Sequence, residues 1–475
     1  MTFAINSFGT EVFWPQGITA EAIIGQNMLE PLVRTMSPWR VEPAIASAWK
    51  VGEDGLTYDL TLRNDVYFHD GTKLTPEDVK FTLSFVDQYV GFSRIKGGNI
   101  VSTEAIGNHL VIRTKVPVPM MFDNYLGRIG VIPKAYVDKV GVAGFNKQPV
   151  GAGPFKFVKQ VKAELVRIEA FEQHYRKVPH LKELTWMLVP EPTTRIAMLR
   201  TREADISFNE LGLNLAELKR YGLRPISFGH PVQSVMFFNR PATKERPASR
   251  FDDARVRKAL LYAMDREALL KALYSGYDDA RPGAVFLVGR TLPSYSDRYP
   301  AYPHDPARAR ELLAAAGHAQ GFEVDLLTTP EGRNSALAIA SDWEKVGVKA
   351  SVKMYESVAL LGMWFGRRIP GDSIVLTSAY ANGMPSLVYL DPAAQVSMFA
   401  SKETEKLSFE GGAIVDPAKQ EEWMRNALVP AMYDLMPVLP ILEYPLGIFG
   451  VGPRVKSWTE FSIFSFSLET LVPGD

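Results

Sequence analysis

The most telling absence in this chain is cysteine, which does not occur among its 475 residues. Without thiols there are no disulfides, no thiolate nucleophile and no thiolate metal site. Net charge is missing too, because 53 basic and 53 acidic side chains balance. A nucleic-acid-binding surface needs clustered positive charge, so we predict no nucleic-acid partner. No apolar run approaches the roughly 20 residues that span a bilayer.

The signatures of common enzymes are also absent. Neither Gly-Xaa-Ser-Xaa-Gly nor His-Glu-Xaa-Xaa-His occurs, which excludes the usual hydrolase nucleophile elbow and the zinc protease helix. The seven histidines have no repeated ligand spacing, so we predict no metal site and no cofactor. The pairs Asp252-Asp253 and Asp278-Asp279 fall at helix boundaries or in loops, where capping and solvation explain them better than acid-base catalysis. We therefore predict a protein that is not an enzyme.

The sequence does contain enough hydrophobic residues to form large hydrophobic cores. Hydrophobic residues make up 46% and charged residues 22%, as in ordinary globular proteins. A chain of 475 residues exceeds the size at which a single core stops growing, so we expect two or more lobes.

Residues 56–68 alternate apolar and polar side chains as an antiparallel sheet unit does. The pair Asp70-Gly71 suits a tight turn, and we interpret the neighbouring His69 as structural or solvated rather than metal-bound. Thr75 then occupies an N-cap position, with Pro76 and Asp78 in the first turn of a predicted helix. Further along, the glycines of Gly151-Ala152-Gly153-Pro154 indicate close backbone packing rather than a phosphate loop, since no Gly-Lys-Ser or Gly-Lys-Thr follows.

The second half of the chain contains clear signals for the starts of helices. Asp252 or Asp253, then Asp265 and Asp305, precede helical patterns as N-caps. A strand over 322–327, a helix over 335–346 and a strand over 348–354 follow, an order that indicates an α/β crossover.

These segments resemble, in order, motifs of the bacterial extracellular solute-binding proteins of family 5, which serve peptide- and nickel-type ABC transporters. The resemblance is carried by residues 43–79, 151–155, 204–206, 233–239, 253–266, 309–317 and 436–442. It implies an α/β fold of the two-lobe periplasmic-binding-protein type, with mixed sheets, a hinge of two crossing strands and an extra subdomain in the first lobe. The implied boundaries are 1–232 and 441–475 for lobe I, with an inserted subdomain near 45–150, and 233–440 for lobe II.

The function implied by the resemblance is that of the substrate-binding component of an ABC importer. Lobe closure would capture a small organic solute, which is then delivered to a permease in the inner membrane. A hydrolase or ligand sensor on the same scaffold stays the alternative, since fold does not determine function. The resemblance further implies a periplasmic monomer whose export signal is not part of this sequence, because Met1 to Asn6 read directly as a first strand.

The expected ligand pocket draws on the loop 8–14, the strand 233–239, the helix near 364 and the loop 378–385. A ligand carboxylate would pair with Arg333 or Arg240. The candidate ligand-binding residues are Phe8, Trp14, Phe238, Asn239, Trp364, Tyr380, Asn382, Met384 and Arg333. Direct nickel coordination is not expected, but a metal inside an organic chelator would leave no ligand signature.

One departure from the family pattern bears on the solute. Peptide binders of this family carry an aspartate for the peptide ammonium in a pattern resembling Asp-Asn-Gly-Asp-Pro, whereas residues 381–385 read Ala-Asn-Gly-Met-Pro. A buried ammonium without a partner costs several kcal/mol. We expect free-amine dipeptides to bind poorly unless Asp372, Asp391 or Glu356 substitutes. Peptide, opine-like, sugar and aromatic-acid ligands stay open.

Overall fold

The chain forms two compact units in a computed structural model. Unit 1 consists of Met1–Asn209, Leu218–Phe228 and Gly447–Asp475, and unit 2 of Glu210–Glu217 and Gly229–Leu446. The lobe boundaries and the subdomain expected from the sequence stay predictions. The structure describes all residues except 9–10, 14–19, 37–39, 90–99, 119–120, 210–217, 219, 227–230, 241–247, 275–279, 287, 381–386, 388, 391–396, 413, 415, 446–447, 459–460, 463–464 and 475.

Strands and helices both contribute to each unit. The strands are β1 Thr2–Ile5, β2 Val33–Met36, β3 Arg40–Pro43, β4 Ala46–Val51, β5 Thr57–Leu62, β6 Ile100–Ile106, β7 His109–Thr114, β8 Phe155–Val161, β9 Leu165–Ala170, β10 Glu183–Leu188, β11 Ile206–Asn209, β12 Arg224–Ile226, β13 Pro231–Phe238, β14 Arg281–Pro282, β15 Phe322–Thr328, β16 Val348–Met354, β17 Ile374–Tyr380, β18 Val438–Pro445, β19 Ile448–Val451, β20 Val455–Ser457, β21 Phe461–Ser462, β22 Ser465–Phe466 and β23 Val472–Pro473. The α-helices are α1 Ala20–Met28, α2 Pro76–Tyr89, α3 Lys134–Lys147, α4 Pro192–Thr201, α5 Ala254–Ala263, α6 Arg266–Leu273, α7 Pro306–Ala315, α8 Arg333–Glu344, α9 Ser357–Phe365, α10 Lys402–Gly412, α11 Pro417–Trp423 and α12 Val429–Leu435. None of these helices combines the length and the apolar composition of a membrane span.

Unit 1 contains a large mixed sheet in the order β12-β19-β11-β1-β10-β9-β8. β1 runs parallel to β10 and β11, whereas the other neighbours are antiparallel. Its core includes Phe3 and Trp186, whose rings are 4.2 Å apart and which are at most 1% exposed. The mixed sheets confirm the predicted α/β class.

A smaller antiparallel sheet of unit 1 has the order β4-β5-β7-β6 and is packed against α2. The N-terminus of α2 shows the predicted cap: the backbone N–H and the hydroxyl of Thr75 both donate to Oδ2 of Asp78, at 2.9 and 2.6 Å. Oδ1 of Asp78 also accepts the backbone N–H of Lys134, at 2.9 Å. The same carboxylate therefore fixes the starts of α2 and α3.

The glycines of the 151–153 loop confirm the prediction of close backbone packing. A Cβ atom on Gly151 would lie 2.2 Å from the carbonyl oxygen of Met28, and one on Gly153 would lie 2.6 Å from that of Asn27. Neither position has room for a side chain, because backbone atoms at that distance must move.

The C-terminal segment completes unit 1. β19 pairs with β11 on one side and β12 on the other. Beyond it, Glu469 is buried and contacts Arg176, which also pairs with Glu30 at 3.1 Å. Burial works against ionisation of Glu30, but Arg176, His174 and other nearby charges outweigh it and hold its pKa well below the usual range.

Unit 2 is built on a six-stranded sheet in the order β14-β18-β13-β17-β15-β16. The predicted strand 322–327, helix 335–346 and strand 348–354 correspond to β15, α8 and β16, and β15 and β16 are parallel. Asp253, Asp265 and Asp305 each accept a hydrogen bond from the backbone of the following helix, as predicted for N-caps. The predicted helix 335–346 lies within two residues of α8 at each end.

A buried arginine holds helix α6 to the rest of the core of unit 2. Arg266, at the start of α6, donates through Nη1 to the carbonyl oxygens of Gly283 (2.7 Å) and Pro440 (3.0 Å), and through Nη2 to that of Tyr302. Burial lowers the pKa of Arg266 to about 10, so the group stays cationic at neutral pH. Its partners are carbonyl dipoles that come from three separate segments.

We expect Arg266→Lys to lower the free energy of unfolding by about 2–3 kcal/mol, because one ammonium cannot reach three carbonyl oxygens that a planar guanidinium reaches. The matched control is Arg308→Lys on the exposed face of α7, where the side chain pairs with Glu311. Urea unfolding followed by circular dichroism measures both. Equal midpoints for the two variants would contradict the role of Arg266.

Candidate functional site

Loops that follow parallel strands are the usual ligand-binding edge of an open α/β sheet, because chain connections diverge there and leave a crevice. In unit 1 this position is the end of β1, which lies between β10 and β11. In unit 2 it is the end of β15, which lies between β16 and β17 and is parallel to both. Each unit thus has its own candidate edge.

The unit 1 edge contains Phe8, three residues after β1, with only 4% of its surface exposed. Its carbonyl oxygen accepts the backbone N–H of Glu11 at 3.3 Å. The loop after β10 is held by Arg195, which donates through Nη1 to the carbonyl oxygens of Val189 (2.8 Å) and Pro190 (2.7 Å). These hydrogen bonds link Phe8 to Glu11 and hold the start of the loop after β10.

The unit 2 edge presents Arg333, the first residue of α8, with an exposed side chain. It follows the end of β15 through a short 3-10 helix, Pro330–Gly332. Thr328 closes β15 and donates its hydroxyl to the carbonyl oxygen of Leu376 at 3.2 Å. An exposed guanidinium at this edge suits a ligand carboxylate. The ligand-binding role of Arg333 stays a prediction.

Tyr380 is the last residue of β17 and lies opposite Val232 of β13. Because Leu326 pairs with Ile374, the end of β15 is level with residue 376, and β17 runs four residues further, about 13 Å. The backbone of Tyr380 therefore projects beyond the same edge as Arg333. The other candidates of this loop and of the unit 1 loop lie outside the described residues: Trp14, Asn382 and Met384.

Phe238 and Asn239 lie at the opposite end of the unit 2 sheet. Phe238 pairs with Ile374, the first residue of β17, whereas Val232 pairs with Tyr380. The six steps from residue 232 to residue 238 extend about 20 Å along a strand. One small solute cannot contact both Asn239 and the backbone of Tyr380, so the structure does not bring these candidates together.

The contacts of Phe238 and Asn239 are those of a folded core. Phe238 is fully buried, with its ring 4.8 Å from that of Phe251. The side-chain nitrogen of Asn239 donates to the carbonyl oxygens of Ile369 (2.8 Å) and Gly371 (2.7 Å). Both hydrogens of that amide are thus used to hold the turn before β17.

The charges beside Asn239 are engaged with one another. Arg240 is buried, and its Nη2 lies 3.0 Å from Oδ2 of Asp252, while its Nη1 lies 3.5 Å from Oδ1 of Asp372. Asp372 also lies 3.8 Å from Arg250. In this arrangement Arg240 is already paired with protein carboxylates, and Asp372 with protein guanidinium groups.

Trp364 belongs to a buried aromatic cluster that sequence reasoning missed, formed by Phe237, Phe286, Trp364 and Tyr389. The ring of Phe237 lies 4.9 Å from that of Trp364 and 5.3 Å from that of Tyr389. Phe286 closes the cluster at 5.6 Å from Phe237. Because side chains alternate along β13, this cluster covers the face opposite to that of Phe238. Trp364 is 6% exposed and packs as a core residue.

A buried polar group on the same face of β13 was also missed. Gln233 donates through Nε2 to the carbonyl oxygen of Val285 at 2.8 Å. Glu443 of β18, which lies opposite Gln233, contacts Arg281 and accepts the backbone N–H of Arg290 at 3.1 Å. The signal in the sequence is a Gln and a Glu inside two strands that are otherwise mostly apolar. These side chains fix the 281–290 segment against the sheet.

Metal coordination has no support in the described part of the chain, where no group of three or more His, Asp and Glu side chains is arranged around a common point.

Comparison with known proteins identifies what this chain is similar to. A family model of the bacterial extracellular solute-binding proteins, family 5, matches residues 40–390. Heme-binding protein A of Haemophilus influenzae is 28% identical, over 88% of this chain and 82% of its own. The dipeptide-binding protein of Escherichia coli K12 is 27% identical, over 84% of this chain and 80% of its own.

Among solved structures, the periplasmic binding protein AgaA in complex with agropinic acid, from A.tumefacien R10, has the same fold. It superposes with a TM-score of 0.85 at 22% identity and covers 100% of this chain and 99% of its own. The predicted fold of the periplasmic-binding-protein type is confirmed by this similarity.

We expect Asn239→Ala to lower the free energy of unfolding by about 1–2 kcal/mol, because two carbonyl oxygens lose their donor. Asn334→Ala on the exposed surface of α8 is the matched control and should stay within about 0.5 kcal/mol of the parent. Urea titration measures both. If Asn239→Ala left the midpoint unchanged and weakened solute binding, the binding role predicted from the sequence would hold instead.

Proposed function

This chain belongs to the bacterial extracellular solute-binding proteins, family 5, and from that premise we propose that its solute is a small organic molecule without a free α-ammonium group. Proteins of this family are the substrate-binding components of ABC importers, and this chain is such a component. It binds a small molecule and delivers it to a membrane permease. The family is one of binding proteins, which confirms the prediction that the chain is not an enzyme.

The observation that carries the proposal is the sequence of residues 381–385. Ala381 and Met384 occupy the two positions at which the pattern of the peptide binders has aspartate. Neither side chain can pair with an ammonium group. Since an ammonium taken out of water needs a carboxylate or several acceptors, a peptide N-terminus would be left unpaired here.

The carboxylates that could replace the missing aspartates are Asp372, Glu356 and Asp391, and they give little support for ammonium binding. Asp372 lies between Arg240 and Arg250 and at the level where β17 begins, whereas Ala381 follows the end of that strand. If Asp372 turned away to bind a ligand, the buried positive charge of Arg240 would lose one of its carboxylate partners. Glu356 is exposed at the N-cap position of α9, in an open setting that favours a solvated side chain. Asp391 lies outside the described residues.

In place of a carboxylate, this segment contains side chains of several chemical types. Tyr380, Asn382 and Met384 bring an aromatic ring, an amide and a polarizable thioether to one loop. Arg333, on the same side of the unit 2 sheet, suits a solute carboxylate. Together they favour an opine-like conjugate or an aromatic acid, with a sugar as the less acidic alternative. We propose Phe8 and Trp14 as contacts from the loop after β1.

The similar proteins bind chemically different ligands and do not identify the solute of this chain. Their names specify heme, a dipeptide and agropinic acid as ligands of those proteins. The same scaffold thus accepts chemically different guests, so the contacts of the loops decide the solute. For this chain we propose a periplasmic location and a monomer without a nucleic-acid partner, consistent with its zero net charge.

We expect titration calorimetry to show no binding of free-amine dipeptides such as Met-Leu below millimolar concentration. The same panel contains the N-acetylated dipeptides as matched controls, together with agropinic acid and phenylacetate. Heat from a carboxylate-bearing, amine-free compound at micromolar concentration is the expected result. Submillimolar affinity across the free-amine dipeptides would overturn the proposal.

A gain-of-function variant tests the missing clamp directly. We expect Ala381→Asp combined with Met384→Asp to gain affinity for free-amine dipeptides by at least tenfold, because a carboxylate then pairs with the ammonium group. The matched control, Ala381→Asn with Met384→Asn, has similar volume without the charge and should gain nothing. Equal affinities of the two variants, both folded by circular dichroism, would contradict the assignment of this loop to the site.

A further inference from the structure

His69 joins two segments of unit 1 through both of its ring nitrogens. Nε2 lies 2.9 Å from the carbonyl oxygen of Gly153, and Nδ1 lies 3.2 Å from the backbone nitrogen of Gly151. The carbonyl oxygen can only accept and the backbone N–H can only donate. These partners therefore require a neutral ring with its proton on Nε2 and a lone pair on Nδ1.

The two segments belong to different parts of unit 1. His69 lies in the 66–74 hairpin, which follows β5 of the small sheet, and Phe68 beside it is buried in the core of that sheet. The 151–153 loop leads into β8, the edge strand of the large sheet. Gly153 in turn donates its backbone N–H to the carbonyl oxygen of Met28 at the end of α1, at 2.9 Å. The imidazole thus ties the small sheet to the large sheet and to α1.

The surroundings of the ring favour the neutral form. Burial lowers the pKa of His69 to about 4, and the bond to the Gly153 carbonyl offsets this only in part. The charged and titratable groups that face the ring from neighbouring segments are Asp70, which favours the cation, and Lys156 and His174, which oppose it. Phe171 covers the ring edge-on at 5.1 Å. Asp70, the carboxylate among these groups, does not outweigh the effect of burial.

We propose that His69 is an acid-sensitive joint, at which uptake of a proton on Nδ1 breaks the hydrogen bond from Gly151 and weakens the attachment of the 151–153 loop to the 66–74 hairpin. A protonated Nδ1 would point its N–H at the N–H of Gly151, so an attractive contact becomes a repulsive one. The bond from Nε2 to the carbonyl oxygen of Gly153 survives, as does the bond from the backbone N–H of His69 to the carbonyl oxygen of Gly151, at 2.8 Å, so the loop is held by fewer bonds and opens more often. The small sheet then moves more freely against the rest of unit 1 in acid.

The sign of the pH dependence follows from linkage. In the open form the ring has its ordinary pKa near 6.5, above the value in the closed form, so protons favour opening. The joint is fully closed above about pH 6.5 and weakens as the pH falls toward about 4. The ratio of open to closed forms rises by about tenfold for each pH unit in that window, and by at most roughly 300-fold in total.

Hydrogen exchange of the full chain, corrected for the intrinsic pH dependence of exchange, tests this. Protection of peptides covering 66–74 and 148–156 should fall about tenfold per pH unit below pH 6. In His69→Gln, whose amide offers a donor and an acceptor but does not titrate, protection of these peptides should be independent of pH. His180→Gln at an exposed position is the matched control and should behave as the parent does.

The same pH dependence in the parent and in His69→Gln would overturn the proposal. If His69→Gln did not fold, nitrogen NMR of the histidine-labelled parent decides. A ring that is neutral at pH 5.5 with its proton on Nε2 supports the joint, and a ring that titrates at its ordinary pKa contradicts it.

Discussion

Completion of unit 1 by the C-terminal segment is the constraint on which the rest of the structure depends. The large sheet lacks an interior strand until β19 enters between β11 and β12, after the chain has passed through unit 2. Glu469 then joins Arg176 and Glu30 in a buried set of charges, and removal of one partner from such a set costs about 3–5 kcal/mol. Unit 1 cannot be obtained as an N-terminal fragment, because its last strand is synthesised last.

The ionisable groups whose pKa values are shifted in this protein stabilise the fold rather than take part in a reaction. Buried groups with shifted pKa often mark active sites, but each one here has an identified structural partner. Glu30 is held by arginines, Arg266 by carbonyl oxygens, and His69 by the 151–153 loop. A binding protein needs no poised acid or base, since reversible capture requires only shape, hydrogen bonds and exclusion of water. The side chains of the loops therefore determine which solute binds.

Local features were predictable to the residue. β16 and the caps of α6 and α7 followed from alternation, from aspartate before an apolar periodic run, and from glycine after it. The residues of the candidate site could not be predicted in the same way, because the alternation pattern of a strand does not show which end of the strand lies at the ligand-binding edge. Asn239 was therefore grouped with Tyr380, although the pairing of β13 with β17 places them about 20 Å apart.

By itself the amino-acid sequence determined the positions of several helix starts and turns, the absence of thiol chemistry and the absence of a carboxylate at positions 381 and 384. These depend on neighbouring residues, whose interactions are set by covalent distance. Only the tertiary structure decided that Gln233 meets Glu443, that Gly151 abuts Met28 and that His69 bridges two sheets. The partners are tens to hundreds of residues apart, and which of them meet depends on strand register and core packing, which no local pattern contains.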